Sequence, residues 1–196
     1  MLHRLALLAR ARQGSAATEF AIVAPVLMLM IIGLFDLGHS MYVTAVLQGE
    51  LERAGRSSSL QSGTSSTTAI DNSVSSIVRN LIGSGATFVS QRLNYSTFAA
   101  VGTPEVFVDK VPKNNKYDPG ECFEDVNGNG QWDADSGKTG QGGANDVVVY
   151  KITVTYPRMF PMAGLFGWSP NQSITASTVL RNQPYATQAI PVVAKC

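Results

Sequence analysis

"GSAATEFAIVAPVLMLMIIGLF", Gly14 to Phe35, decides how the rest of this chain is read. Small residues lead to a single carboxylate, Glu19, and from Phe20 to Phe35 no charge follows. At ~1.5 Å per residue that uncharged run makes roughly 24 Å of helix, short of the ~30 Å hydrocarbon core of a bilayer. Counted from Ser15, with Glu19 neutralised, it comes nearer to a span. Pro25 lies one turn into the run, where a missing backbone donor favours a kink. An ionised group in hydrocarbon is costly, and such groups usually have a partner or a function. A plain anchor has no need of Glu19.

Upstream stand Arg4, Arg10 and Arg12, with no acidic residue among them. Basic residues on that side predict a cytoplasmic N-terminus and an exported remainder. A cleaved secretory signal would require a small-residue site after the apolar run, and "FDLGHSMYV" is a poor match. The helical pattern also continues past Phe35. Leu34, Leu37, Met41, Ala45 and Val46 extend an apolar stripe, with Asp36, His39, Thr44, Gln48 and Glu52 largely elsewhere. The spacing predicts one helix from about Ser15 to Arg56, its first half suited to lipid and its second half amphipathic and suited to packing on a domain.

The ordered set of Gly14, small residues to Thr18, Glu19-Phe20, Pro25, Asp36-Leu37-Gly38 and Tyr42 resembles the start of TadE-like pseudopilins of the Flp (Tad) branch of type IV pili. The resemblance covers about forty residues, and "STVLRNQPY" also looks like the family's C-terminal region, with Gln183 where the family often carries an acid. It implies that 1–14 is a leader, removed by a prepilin peptidase between Gly14 and Ser15. Cleavage would expose an α-amine at Ser15, one helical turn from Glu19. Glu19 could neutralise that amine or the amine of a neighbouring subunit, lowering the cost of burying either charge. Glu19 and Phe20 are therefore candidate assembly residues. The implied partners are the peptidase, other pilin and pseudopilin subunits, and the inner membrane. The other reading of the segment is a plain signal anchor with an accidental Glu.

After the helix, 57–68 reads as a polar linker, and 69–196 as an exported domain. Ile70, Val74, Ile77, Val78 and Leu81 share one face of a short helix, with a Ser or Thr before Ile70 to cap it and Gly83 to end it. Strands are predicted at 92–98, 105–109, 146–157 and 173–182. In the third, Val148, Tyr150, Ile152, Val154 and Tyr156 face one way. In the fourth, Ile174, Ala176, Thr178 and Leu180 do. The expected fold class is α+β: a pilin-like long helix packed on a small antiparallel sheet.

An insertion from Asp109 to Asp146 has little regular pattern, and loops of that length are usually functional or disordered. Within it "DVNGNGQWDAD" places Asp125, Asn127, Asn129, Gly130 and Asp133 at positions 1, 3, 5, 6 and 9 of a D-x-N-x-N-G-x-x-D loop. Alternating side-chain oxygens and a turn glycine can wrap a hard cation such as calcium, with the Gln131 carbonyl at position 7. Ser136 replaces the bidentate Glu at position 12, and Asp135 or Glu124 is a candidate substitute. The alternative is a glycine-rich turn that binds no ion.

The chain carries a formal net charge of +1, which falls to −2 without the three N-terminal arginines (12 basic against 14 acidic). That balance provides no electrostatic footprint for nucleic acid. The two cysteines, Cys122 and Cys196, are too far apart for a C-x-x-C motif. In an oxidising compartment they could pair; otherwise they are two thiols. No Ser/His/Asp set, phosphate loop or zinc spacing is present, so no enzyme is expected. Trp132 and Trp168 read as packing residues. The residues point to a minor pilin-like subunit of a Tad-type pilus or related secretion machine. The rival is an extracytoplasmic calcium-dependent binding module on an uncleaved signal anchor.

Overall fold

The computed structural model describes residues 13–60, 66–160, 164 and 167–184. A 46-residue helix, α1 (Gln13–Ser58), opens the chain and runs through Pro25 uninterrupted. A second helix, α2 (Thr67–Ile82), follows. The strands are β1 (Thr87–Tyr95), β2 (Phe107–Val108), β3 (Cys122–Phe123), β4 (Lys138–Thr139), β5 (Val147–Pro157) and β6 (Asn171–Arg181), with a short 3-10 turn at Phe98–Ala100. Four strands form one sheet in the order β4-β1-β5-β6, and β2 and β3 form a separate pair. β1 lies antiparallel to β5, from Thr87 opposite Thr155 to Tyr95 opposite Val147. The α+β, pilin-like class expected from sequence is the one observed.

The chain divides into two compact units, Met1–Tyr42 with Arg158–Gln172 and Val43–Pro157 with Ser173–Cys196. In the first unit the apolar side chains of α1 face outward: Phe20, Ile22, Val23, Leu34 and Phe35 are all exposed. Among the described residues α1 alone is long and apolar enough to cross a membrane, and the most apolar window has a mean hydropathy of 2.5 with nothing buried.

The second unit holds the core. Val43, Leu47, Leu51 and Ala54 of α1 meet Val74 and Val78 of α2, Tyr150, Ile152, Val154 and Tyr156 of β5, and Ile174 and Ala176 of β6. The β5 and β6 faces are those read from the alternation, because a strand's period of two leaves one choice of face. The α1 stripe is different. Leu37, Met41 and Ala45 are exposed and Val46 is half-buried, while the buried row is Val43, Leu47, Leu51 and Ala54. Both rows fit a helical period, and only the sheet beneath selects one of them.

Other boundaries shift for identifiable reasons. β1 begins at Thr87, because nine residues of β5 offer it a continuous pairing edge. The 105–109 strand shrinks to β2 and pairs with β3 outside the main sheet. The expected linker is shorter: Ser57 and Ser58 belong to α1, Thr67 and Thr68 to α2, and 61–65 lie outside the described residues. Ser66 precedes α2 without a side-chain cap hydrogen bond, whereas Gly83 ends it at φ 82°, its N–H donating to the Arg79 carbonyl. A buried polar knot secures the end of α1. Gln141 Nε2 donates to the Ser58 carbonyl (3.1 Å), and Asn182 Nδ2 donates to the Gln141 and Gly143 carbonyls (2.8 Å each). The first bond satisfies a main-chain carbonyl at the end of α1, and the other two satisfy carbonyls of the loop before β5.

Candidate functional site

The candidate residues fall into two groups, one in each unit. In the first unit, Gly14 and Ser15 lie within the helical backbone of α1. Glu19 follows on the exposed surface, and Phe20 is 66% exposed. Both side chains are exposed, about 100° apart around the helix. Farther along α1, Asp36 accepts a hydrogen bond from Arg158 Nη1 in an ion pair, each side chain about one-fifth exposed. Sequence reasoning missed Arg158, because 122 residues separate it from Asp36.

In the second unit, the insertion is closed by carboxylates accepting backbone N–H groups. Glu105 is 1% exposed and accepts from Val126 (2.8 Å), Asn127 (3.4 Å) and Asp133 (3.1 Å). Glu121, also buried, accepts from Lys110 (2.7 Å) and Asp118 (3.0 Å). An ionised carboxylate loses its hydration on burial, and charge-assisted bonds of this kind replace it. Beside them Tyr117 stacks on Trp132 with ring centroids 4.9 Å apart, while Phe107 and Phe123 meet this pair edge-on. The Trp132 indole N–H donates to the Glu105 carbonyl (2.8 Å). The insertion therefore carries its own small core and is not a featureless loop. Trp132 packs as expected. Trp168, in the first unit, is 65% exposed.

The structure brings most of the calcium-loop residues together. Asp125 is buried; its Oδ1 accepts from Gly128 (2.7 Å) and Asn129 (3.0 Å), and its Oδ2 from Gly130 (2.9 Å). Gly130 takes the turn at φ 79°, a conformation that favours glycine. Asn127 Nδ2 and Asn129 Nδ2 both donate to Asp133 Oδ2, at 2.7 and 2.6 Å. Asn127, Asn129, Asp133 and Asp135 line a cleft of about 550 Å³ with Gln91 and Lys138. Asp135 is turned toward Tyr95, whose hydroxyl donates to it at 2.8 Å. Partial burial and the Asp135 carboxylate push the Tyr95 phenol up to about 12, so it remains a donor. Gln131 donates its main-chain N–H to Asn129 Oδ1 (2.7 Å), and Ser136 is buried. The side chains are of the type that binds a hard cation. The two amides, however, present nitrogen to Asp133, and a cation would require their oxygens. Among the described residues no three His, Cys, Asp or Glu side chains are grouped to hold a metal.

Cys122, on β3, is disulfide-bonded. Cys196, the partner considered from sequence, lies outside the described residues.

Residues 14–56 match the family described as TadE-like protein. No curated protein matches the chain. No solved structure matches it either.

Proposed function

We propose, from a TadE-like N-terminal segment joined to an exported α+β domain, that this chain is a minor pilin or pseudopilin subunit of a Tad-type pilus or related secretion machine. Its work is assembly and not catalysis. The apolar half of α1 enters the inner membrane, a prepilin peptidase cuts between Gly14 and Ser15, and α1 then packs against other such helices. The observation that carries this reading is the match over 14–56. It spans both the lipid-suited half of α1 and the half that carries the core row Val43, Leu47, Leu51 and Ala54. A removable signal peptide does not extend into the core of the mature domain. Exposed Glu19 and Phe20 are consistent with a partner helix on that surface. The test is the mature N-terminus: peptide mass spectrometry of protein from its native cells should find a chain beginning at Ser15. A chain beginning at Met1 would favour the signal-anchored module.

We also propose calcium binding as an additional property of the insertion, from the D-x-N-x-N-G-x-x-D spacing, with the Asn127 and Asn129 amides turned over to present oxygen beside Asp133. Asp125 would organise the turn, while Asn127, Asn129, Asp133, Asp135 and the Gln131 carbonyl would supply oxygens. Lacking the position-12 Glu, the site would bind in the extracellular range, about 10⁻⁴ to 10⁻³ M.

A further inference from the structure

The connection from β5 to β6 carries no charged residue between Met159 and Pro170. Among its described residues, a pair of large side chains stands in solvent: Met159 is 57% exposed and Trp168 is 65% exposed. Exposing such groups to water forgoes the favourable burial of their apolar surface. An indole combines an apolar ring with one polar N–H, and it is enriched where a bilayer meets water.

The position of this connection gives that chemistry a setting. It belongs to the same compact unit as the apolar stretch of α1. Arg158 holds it there. Its guanidinium is paired with Asp36, its Nε donates to the Ser169 carbonyl (3.2 Å), and its main-chain N–H donates to the Pro170 carbonyl (2.9 Å). One residue, through side chain and main chain, thus ties both ends of the connection together and to α1. Asp36 is the first charged residue after the uncharged Phe20–Phe35 run. A span that ends there sets Asp36 at the outer edge of the hydrocarbon, and Arg158 with it. The pair is neutral as a unit, which lowers the cost of placing it at that edge. On α1 itself, Leu34, Phe35, Leu37, Met41 and Tyr42 are exposed on either side of Asp36 in the sequence.

We propose that the β5–β6 connection is a second membrane contact, an interfacial anchor. Met159 and Trp168 enter the boundary between headgroups and acyl chains beside the span, and the Asp36–Arg158 pair sets their depth. This rests on α1 being a span and is independent of the pilus assignment. The partner is a lipid surface and not a second copy of the chain, because the connection shares a compact unit with the span and is tied to it at Asp36, where the uncharged run ends.

The test uses the full chain reconstituted into phosphatidylcholine vesicles. Their acyl chains carry bromine, a contact quencher of indole, either near the headgroup or near the terminal methyl. The chain has two tryptophans, so the difference between wild type and Trp168→Phe isolates the Trp168 emission. Shallow bromine should remove most of that emission and deep bromine little of it, with a maximum at shorter wavelength than indole in water. Phe35→Trp, placed in the Trp168→Phe background, reports on the span. If the residue-35 indole is quenched and the Trp168 emission is untouched, the anchor is wrong while the span stands. If neither is quenched, the span reading and the anchor fall together. A blue-shifted but unquenched Trp168 would mean that protein covers it, which also overturns the proposal.

Discussion

At Asp71 one carboxylate joins α2 to the sheet. It accepts from Ser90 Oγ (2.6 Å), from Arg92 Nη1 and Nη2 (3.0 and 2.5 Å), and from the Tyr150 hydroxyl. The Arg92 guanidinium also sits over the Tyr150 ring, 3.9 Å from its centroid. Burial pushes the Asp71 carboxyl up, but the bonds from Arg92, Ser90 and Tyr150 and the Arg92 charge outweigh it, so it titrates below its usual range. Burial and the Asp71 carboxylate push the Tyr150 phenol upward, keeping it a donor. A depressed carboxylate stabilises the fold above its unfolded value, about 4, and that contribution is lost as pH falls through the lower folded value. Asp71→Asn should therefore lack an acid-dependent loss of stability that wild type shows below about pH 4. Asp71→Ala leaves the Arg92 charge buried without its partner and should cost about 3 kcal/mol at neutral pH in denaturant unfolding. A change within ~0.5 kcal/mol, the size of an ordinary surface substitution, would rule out that role. Glu19 makes a different demand. Glu19→Leu removes a charge from the edge of an apolar run, so membrane insertion should persist while co-purification with partner pilins is lost. Normal piliation of a strain carrying Glu19→Leu would count against the pairing with the Ser15 amine.

At the scale of elements, the insertion depends on acceptors and not on strand length, since β2 and β3 have two residues each. Glu105→Ala leaves the amides of Val126, Asn127 and Asp133 without their acceptor and should cost the insertion about 2 kcal/mol or more. Hydrogen exchange should accelerate across 105–135 and leave the β5 amides protected. Uniform acceleration would mean that the insertion does not open on its own. Calcium acts on the same element. An ion bound only by the folded insertion raises the melting temperature by mass action, and Asp125→Ala with Asp133→Ala should abolish that rise. Magnesium should substitute poorly, because it favours a smaller octahedral shell and retains its water. If millimolar calcium yields neither heat in titration nor a thermal shift, the loop is a turn held by its own amides.

On the scale of the whole molecule, the division at Val43 separates an apolar helix surface from a core. Every side chain of that core lies at or beyond Val43. A chain begun at Val43 should therefore be soluble and melt cooperatively, checked by calorimetry, while one lacking Val43 to Ala54 should not. The sequence by itself determined the features that depend on local pattern. The uncharged Phe20–Phe35 run, the acid before it and the length of α1 are fixed by order and period. So are the inward faces of β5 and β6, because alternation admits one buried side. Tertiary structure decided what depends on distant partners. Two apolar rows were available on α1, and the sheet chose Val43, Leu47, Leu51 and Ala54. Glu105 and Asp71 look like ordinary surface acids in the chain, since nothing local announces the amides and guanidinium that fold around them. Asn127, Asn129 and Asp133 were legible as a loop with alternating oxygens, yet the direction of their amides is set by the neighbouring carboxylate. The Asp36–Arg158 pair closes over more than a hundred residues, and only a folded β5–β6 connection can bring those charges together.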